Sequence, residues 1–191
     1  MTIKPKKSLG QNFLIDQNII NKISSLTKVN NKIVLEIGAG TGNLSSSILK
    51  HSPKKFFAIE KDKKLFLNLQ KQFNNKITFI NDDILKFDEY SLSKDKLTVF
   101  GNLPYNISTE ILSKWIINLK DDNFWFDSLT LMFQKEVANR ILAKFNTSIY
   151  GRLTVLANWK LDIEKICDIS PSCFSPKPKV QSSLLFFKPK K

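Results

Sequence analysis

Four short apolar runs, each closed by a polar turn, leave this chain few ways to fold. The first is Ile33 to Ile37, which leads through "EIGAGTG" into "NLSSSILKH". The second lies in "KKFFAIEKD" and ends on Glu60; "KKLFLNLQKQF" follows with Leu65, Leu69 and Phe73 at helical spacing. Ile77 to Ile80 form the third run, ahead of Asp82 and Asp83, and Leu97 to Phe100 the fourth, ahead of "NLPYNIST". The helix expected after that stretch sets Ile107, Ile111, Leu112 and Trp115 on one face. Continuous apolar runs alternating with amphipathic helices are what a parallel sheet covered on both faces requires.

"DSLTLMFQKEVANRIL" adds a fifth strand with its helix, and "GRLTVLANW" reads as another helix. "KLDIEKICDIS" and "VQSSLLFFKP" read as two final strands. Their connection, "PSCFSPKPK", offers no crossover helix, so the two are expected to run antiparallel. The predicted fold is therefore α/β and Rossmann-like, a seven-stranded, mostly parallel sheet with an antiparallel last strand and helices on both faces. No internal repeat or linker divides the 191 residues, a length that suits one domain with its own core.

The balance of 30 Lys plus Arg against 17 Asp plus Glu gives a formal charge of +13. Such an excess favours a polyanionic partner, because each phosphate neutralised releases condensed counterions. Hydrophobic residues at 42% and charged residues at 25% exclude a disordered chain, and no apolar run approaches a membrane span. No apolar segment follows the basic "MTIKPKKSLG", so neither signal peptide nor anchor is read there and a cytoplasmic monomer is expected. Cys167 and Cys173 fit no zinc or redox spacing, and His51 is the only histidine. Histidine-activated nucleophiles and zinc hydroxide therefore lose most of their candidates.

Gly38, Gly40 and Gly42 stand where a first strand gives way to a first helix, the crevice in which such sheets bind ligands. The spacing is G-x-G-x-G, with Asn43 in place of the third glycine of the dinucleotide fingerprint. Glu60, at the end of the second strand, is placed to accept both hydroxyls of a ribose, which fits NAD and S-adenosylmethionine equally. Asp83, read as ending the third strand, is placed to accept from an adenine amino group. Glu36, just inside the first strand, is a neighbour for a cationic amino-acid moiety. Ribose, adenine and a positive charge together describe the ligand these three acids suit.

The fourth strand ends in "NLPY", which resembles the signature of methyltransferases acting on amino groups conjugated to a base. With "SLGQNFL", "EIGAGTGNLS", "MFQKEVANR" and "PSCFSPKPKVQSS" in order, the chain resembles the ribosomal RNA adenine N6,N6-dimethyltransferases from about Lys7 to Lys188. Within that family it is closest to the bacterial branch acting on small-subunit (16S) RNA. The resemblance implies S-adenosylmethionine as cofactor, with Gln11 to Leu14 closing over its methionine part through Asn12 and Leu14. It implies Gly38 and Gly40 along that same end, Glu60 on the ribose, Asp83 on the adenine, and Asn102 bordering both cofactor and target. Asn102 and the Leu103 carbonyl would accept the two hydrogens of the target amino group. Pro104 removes a ladder donor and directs that carbonyl inward. Tyr105 would stack on the base, with Phe174 as the opposite wall.

The implied reaction places two methyl groups on each of two adjacent adenosines near the small-subunit RNA 3′ end. The implied partner is that RNA, with Lys4, Lys6, Lys7, Lys135, Arg140, Lys144, Lys177 and Lys179 as backbone contacts. Family members usually continue into a small helical domain, so residues 1–191 are expected to be the methyltransferase domain alone. Three other readings stand: a large-subunit dimethyltransferase of the macrolide-resistance type, a non-catalytic nucleic-acid-binding relative, and a dehydrogenase. The third is disfavoured by G-x-G-x-G and by the lack of a hydride-site histidine.

Overall fold

The computed structural model describes residues 5–6, 9–119 and 123–190. The chain opens with β1 (Phe13–Leu14) and α1 (Gln17–Ser25), then β2 (Ile33–Ile37), α2 (Asn43–Leu49), β3 (Lys55–Ile59), α3 (Lys63–Phe73) and β4 (Thr78–Ile80). β5 (Leu97–Asn102), α4 (Ser108–Ile117), β6 (Phe126–Gln134), α5 (Lys135–Ile141) and α6 (Arg152–Lys160) follow. β7 (Leu161–Ile169), β8 (Phe174–Ser175) and β9 (Ser182–Pro189) complete it. Helix starts are set by acids: Asp16 accepts from the Ile19 N–H at 2.9 Å and Asp62 from the Lys64 N–H at 2.9 Å, each capping a free amide.

Seven strands form one sheet in the order β4-β3-β2-β5-β6-β9-β7. β2 pairs in parallel with both β3 and β5, whereas β9 lies antiparallel between β6 and β7. The expected seven strands and the antiparallel last strand are both present. β2 is buried along its whole length, and its residues alternate between two cores. Ile33, Leu35 and Ile37 pack with Val99, Trp115 and Phe126 on one face; Val34 packs with Ile20, Phe73 and Phe100 on the other.

The connection between β7 and β9 contains more than the expected plain loop. Pro171–Cys173 form a 3-10 turn, and β8 pairs antiparallel with β1, matching Phe13 to Ser175 and Leu14 to Phe174. The Ile15 N–H donates to the Cys173 carbonyl at 2.8 Å, extending the junction. A segment near the start of the chain is thus strapped to one near its end. Among the described residues no helix is long and apolar enough to cross a membrane.

Candidate active site

The strand order reverses between β2 and β5, the switch point at which open α/β sheets leave a crevice. The glycine turn leaves β2 there and "NLPY" leaves β5. An open cleft with about 870 Å³ of free space occupies the crevice, lined by Asn12, Gly38, Gly40, Glu60, Asp83, Asn102, Leu103, Pro104 and Tyr105 among others. A smaller hollow beside it is lined by Phe13, Leu14, Glu36, Gly38, Gly40 and Asn102. Most of the residues expected to act together are therefore together.

Glu60 is held before any ligand arrives. Its Oε2 accepts from the Gly40 N–H at 2.9 Å and its Oε1 from the Asp62 N–H at 2.8 Å, leaving each oxygen a further lone pair. Burial pushes this carboxyl above its ordinary range, against those amide hydrogen bonds. Gly40 has φ +58°, and a Cβ there would sit 2.9 Å from the Phe13 ring, so only glycine lets the strap come this close. Asn43 stands where a dinucleotide turn has its third glycine; its side-chain amide donates to the Leu14 carbonyl at 2.8 Å. The departure from the fingerprint thus fastens the strap.

Asp83 is not at a strand end as expected. β4 stops at Ile80, and Asp83 lies in the turn beyond, where its Oδ2 pairs with Lys61 at 2.7 Å and its Oδ1 accepts from the Leu85 N–H. The Lys61 hydrogen bond holds the carboxyl below its ordinary range. Glu36 is 2% exposed beneath the glycine loop and accepts from the Ser45 hydroxyl at 2.5 Å. Desolvation raises it to about 7, with Ser45 opposing and the Glu60 charge adding.

Asn102 ends β5, and its side-chain Nδ2 donates to the Asn12 carbonyl at 2.7 Å. No described residue donates to its Oδ1. Tyr105 lines the cleft while its hydroxyl meets the Ser182 hydroxyl of β9 at 2.5 Å. Burial raises this phenol, and the Ser182 hydrogen bond opposes the shift.

Phe174, expected as the wall opposite Tyr105, is not among the residues that line the cleft. It is 3% exposed and packed in the core with Leu14, Met132 and Leu184, because pairing with β1 turns its side chain inward. Leu14 lines only the smaller hollow. Of the basic residues, Arg140, Lys144, Lys177 and Lys179 are exposed, whereas Lys135 pairs with Asp168 at 3.0 Å and Lys6 with Asp62 at 3.0 Å. Lys4 and Lys7 lie outside the described residues.

Sequence reading missed Asp62, which caps α3, pairs with Lys6 and accepts from the Gln11 side chain at 3.2 Å. Burial would raise its carboxyl, but the hydrogen bonds from Lys6, Gln11 and the Lys64 amide outweigh it and hold the group low. Its place just before "KKLFLNLQKQF" was a readable capping signal; its second use, anchoring a distant segment, had none.

Solved structures share this architecture. A dimethyladenosine transferase from Plasmodium falciparum superposes with a TM-score of 0.82 at 33% identity, over 93% of this chain and 63% of that one. The 23S rRNA methyltransferase ErmE superposes at 0.77 with 23% identity, over 94% of this chain and 70% of that one, a likeness of fold. Sheet, glycine turn and cleft are those of an S-adenosylmethionine-dependent methyltransferase, and the dehydrogenase reading falls.

The model of the family described as "Ribosomal RNA adenine dimethylase" matches residues 2–191, and the chain belongs to that family. A protein named ribosomal RNA small subunit methyltransferase A, from Pelagibacter ubique (strain HTCC1062), is 61% identical over 190 residues, covering 100% of this chain and 72% of that protein.

Proposed function

We propose that this chain dimethylates N6 of two adjacent adenosines near the 3′ end of small-subunit ribosomal RNA. The observation that carries the reading is the Asn12–Asn102 hydrogen bond. By engaging one Nδ2 hydrogen it fixes which way the Asn102 amide faces and leaves its acceptor Oδ1 without a donor among the described residues, in a cleft already furnished with Glu60 and Asp83.

The cleft fits the cofactor. Glu60, locked by two backbone amides, offers its remaining lone pairs to vicinal ribose hydroxyls; Asp83 accepts from an adenine amino group between Ile59, Leu65 and Ile84. Glu36, beneath the glycine loop, suits a nearby ammonium group, with Gly38, Gly40 and Leu14 lining the same hollow and Asn12 the adjoining cleft. When bound, S-adenosylmethionine supplies a methyl carbon made electrophilic by its sulfonium.

An exocyclic adenine nitrogen is a poor nucleophile because its lone pair is delocalised into the ring. Asn102 Oδ1 and the Leu103 carbonyl accept its two hydrogens, draw it toward a tetrahedral shape and aim the lone pair. The gain comes from alignment and fixed dipoles rather than from a strong base. Tyr105 supports the ring face, and its position is set by Ser182. The released proton goes to solvent, since Asn102 cannot take it.

The test is incubation of the chain with labelled cofactor and unmethylated small and large ribosomal subunits, followed by mapping of the label. Label on two adjacent small-subunit adenosines is the expected result. Label on the large subunit would transfer the assignment to the macrolide-resistance branch, and cofactor binding without transfer would favour a non-catalytic binder. Asn102→Ala is expected to lower transfer at least a hundredfold, well beyond the several-fold loss of cofactor affinity that freeing the strap would cause.

A further inference from the structure

Away from the cleft, the segment joining α5 to α6 has an unusual composition. From Asn139 to Lys160 there is no Asp or Glu, whereas Arg140, Lys144, Arg152 and Lys160 all carry positive charge. Arg140 and Arg152 are the chain's only arginines. Within this acid-free stretch Phe145 is 77% exposed, Ile149 46% and Tyr150 40%. The Phe145 and Tyr150 rings meet edge to face, with centroids 5.7 Å apart at 88°.

The segment is built rather than loose. The Thr147 hydroxyl donates to the Lys144 carbonyl at 2.7 Å, and the Tyr150 N–H donates to the Thr147 carbonyl at 3.0 Å. The Thr154 hydroxyl donates to the Arg140 carbonyl at 2.6 Å, fastening Arg140 to the first turn of α6, where Arg152 stands. Two aromatic rings are therefore presented from a fixed loop flanked along the chain by both arginines.

We propose that Phe145 and Tyr150 extend the RNA contact expected of Arg140 and Lys144 into a base-stacking platform, on which unpaired bases lie against the two rings while Arg140, Lys144 and Arg152 hold the adjoining phosphates. The proposal rests on the reading of RNA as substrate. Exposed aromatic faces suit splayed bases of any sequence, and arginine grips phosphate bidentately and stacks as well. A second copy of this chain would bring the same positive groups face to face. Exposed rings on a stretch that carries four cations and no acid are better matched by a polyanion with flat, apolar bases.

The test uses the whole chain and a fluorescein-labelled RNA hairpin carrying two adjacent unpaired adenosines, with binding followed by anisotropy at several salt concentrations. Phe145→Ala with Tyr150→Ala is expected to weaken RNA binding about tenfold or more with the salt slope retained. Arg140→Gln with Arg152→Gln is expected to weaken it and to flatten the slope by about 1.5. Cofactor affinity, measured alongside, reports that the fold is intact in each variant. Wild-type RNA affinity in both double variants, with the unaltered chain binding and methylating RNA, would overturn the proposal while leaving the proposed function standing. An unaltered chain that neither binds nor methylates RNA would overturn both. Sedimentation showing a dimer that Phe145→Ala dissociates would assign the surface to self-association instead.

Discussion

Glu36 is a buried carboxyl, and it makes the protein's stability depend on pH. Its folded value, about 7, lies above the ordinary 4.5, chiefly from desolvation. The folded chain therefore holds this proton more tightly than the unfolded chain does. Between those two values the folded state carries the larger share of protons, so stability falls as pH rises through the window. The loss is complete above pH 7 and amounts to about 3 kcal/mol at most. Glu36→Gln keeps a partner for Ser45 without the charge. Its melting temperature should match the parent's near pH 5 and exceed it near pH 8; a difference that does not change with pH would show that Glu36 is not the group responsible. The acids around the cleft were readable because they follow apolar runs, and Glu60 and Asn102 stand where those runs end. The burial of Phe174 was not readable because its surroundings are set by β1, some 160 residues earlier in the chain, and no local pattern announces such a partner.

The strap across the cleft, Gln11 to Leu14, owes its place to few bonds. They are the β1–β8 pairing, Asn43 to the Leu14 carbonyl, Asn102 to the Asn12 carbonyl, and Gln11 and Lys6 to Asp62. The Lys6 side chain is half exposed, so its ion pair adds little. Asp62 also caps α3, and the two roles can be separated. Asp62→Asn preserves the cap, since Asn caps as well as Asp, but removes the charge that Lys6 meets. It should leave the melting temperature nearly unchanged while speeding hydrogen exchange at residues 9–14 and weakening the cofactor several-fold. Asp62→Ala should add a loss of about 1 kcal/mol in stability. Equal exchange rates in parent and Asn variant would remove Asp62 from the strap. The main strands and helices were legible from apolar period and length. β1 and β8 were not, because two residues are too few to show any period and their pairing is wholly long-range.

The sheet as a whole is stitched by its final strand. Within the sheet β9 lies between β6 and β7 and joins them, and Ser182, Ser183, Leu184, Leu185 and Phe187 in it are fully buried. The antiparallel sense was legible from the absence of a crossover helix, but the insertion of β9 between its predecessors was not, since apolar strands carry no label for their neighbours. Ending the chain at Lys179 should abolish cooperative unfolding in a thermal melt; a sharp transition in that shortened chain would mean that β2 to β6 fold without it. Synthesis runs from the first residue toward the last, so the strand that joins β6 and β7 is made after both of them. Until then β6 presents one bare edge and β7 two, open to pairing with any other nascent strand. Between the emergence of β7 and that of β9 the nascent chain is thus in the form most prone to aggregate, and β9 is what ends that exposure.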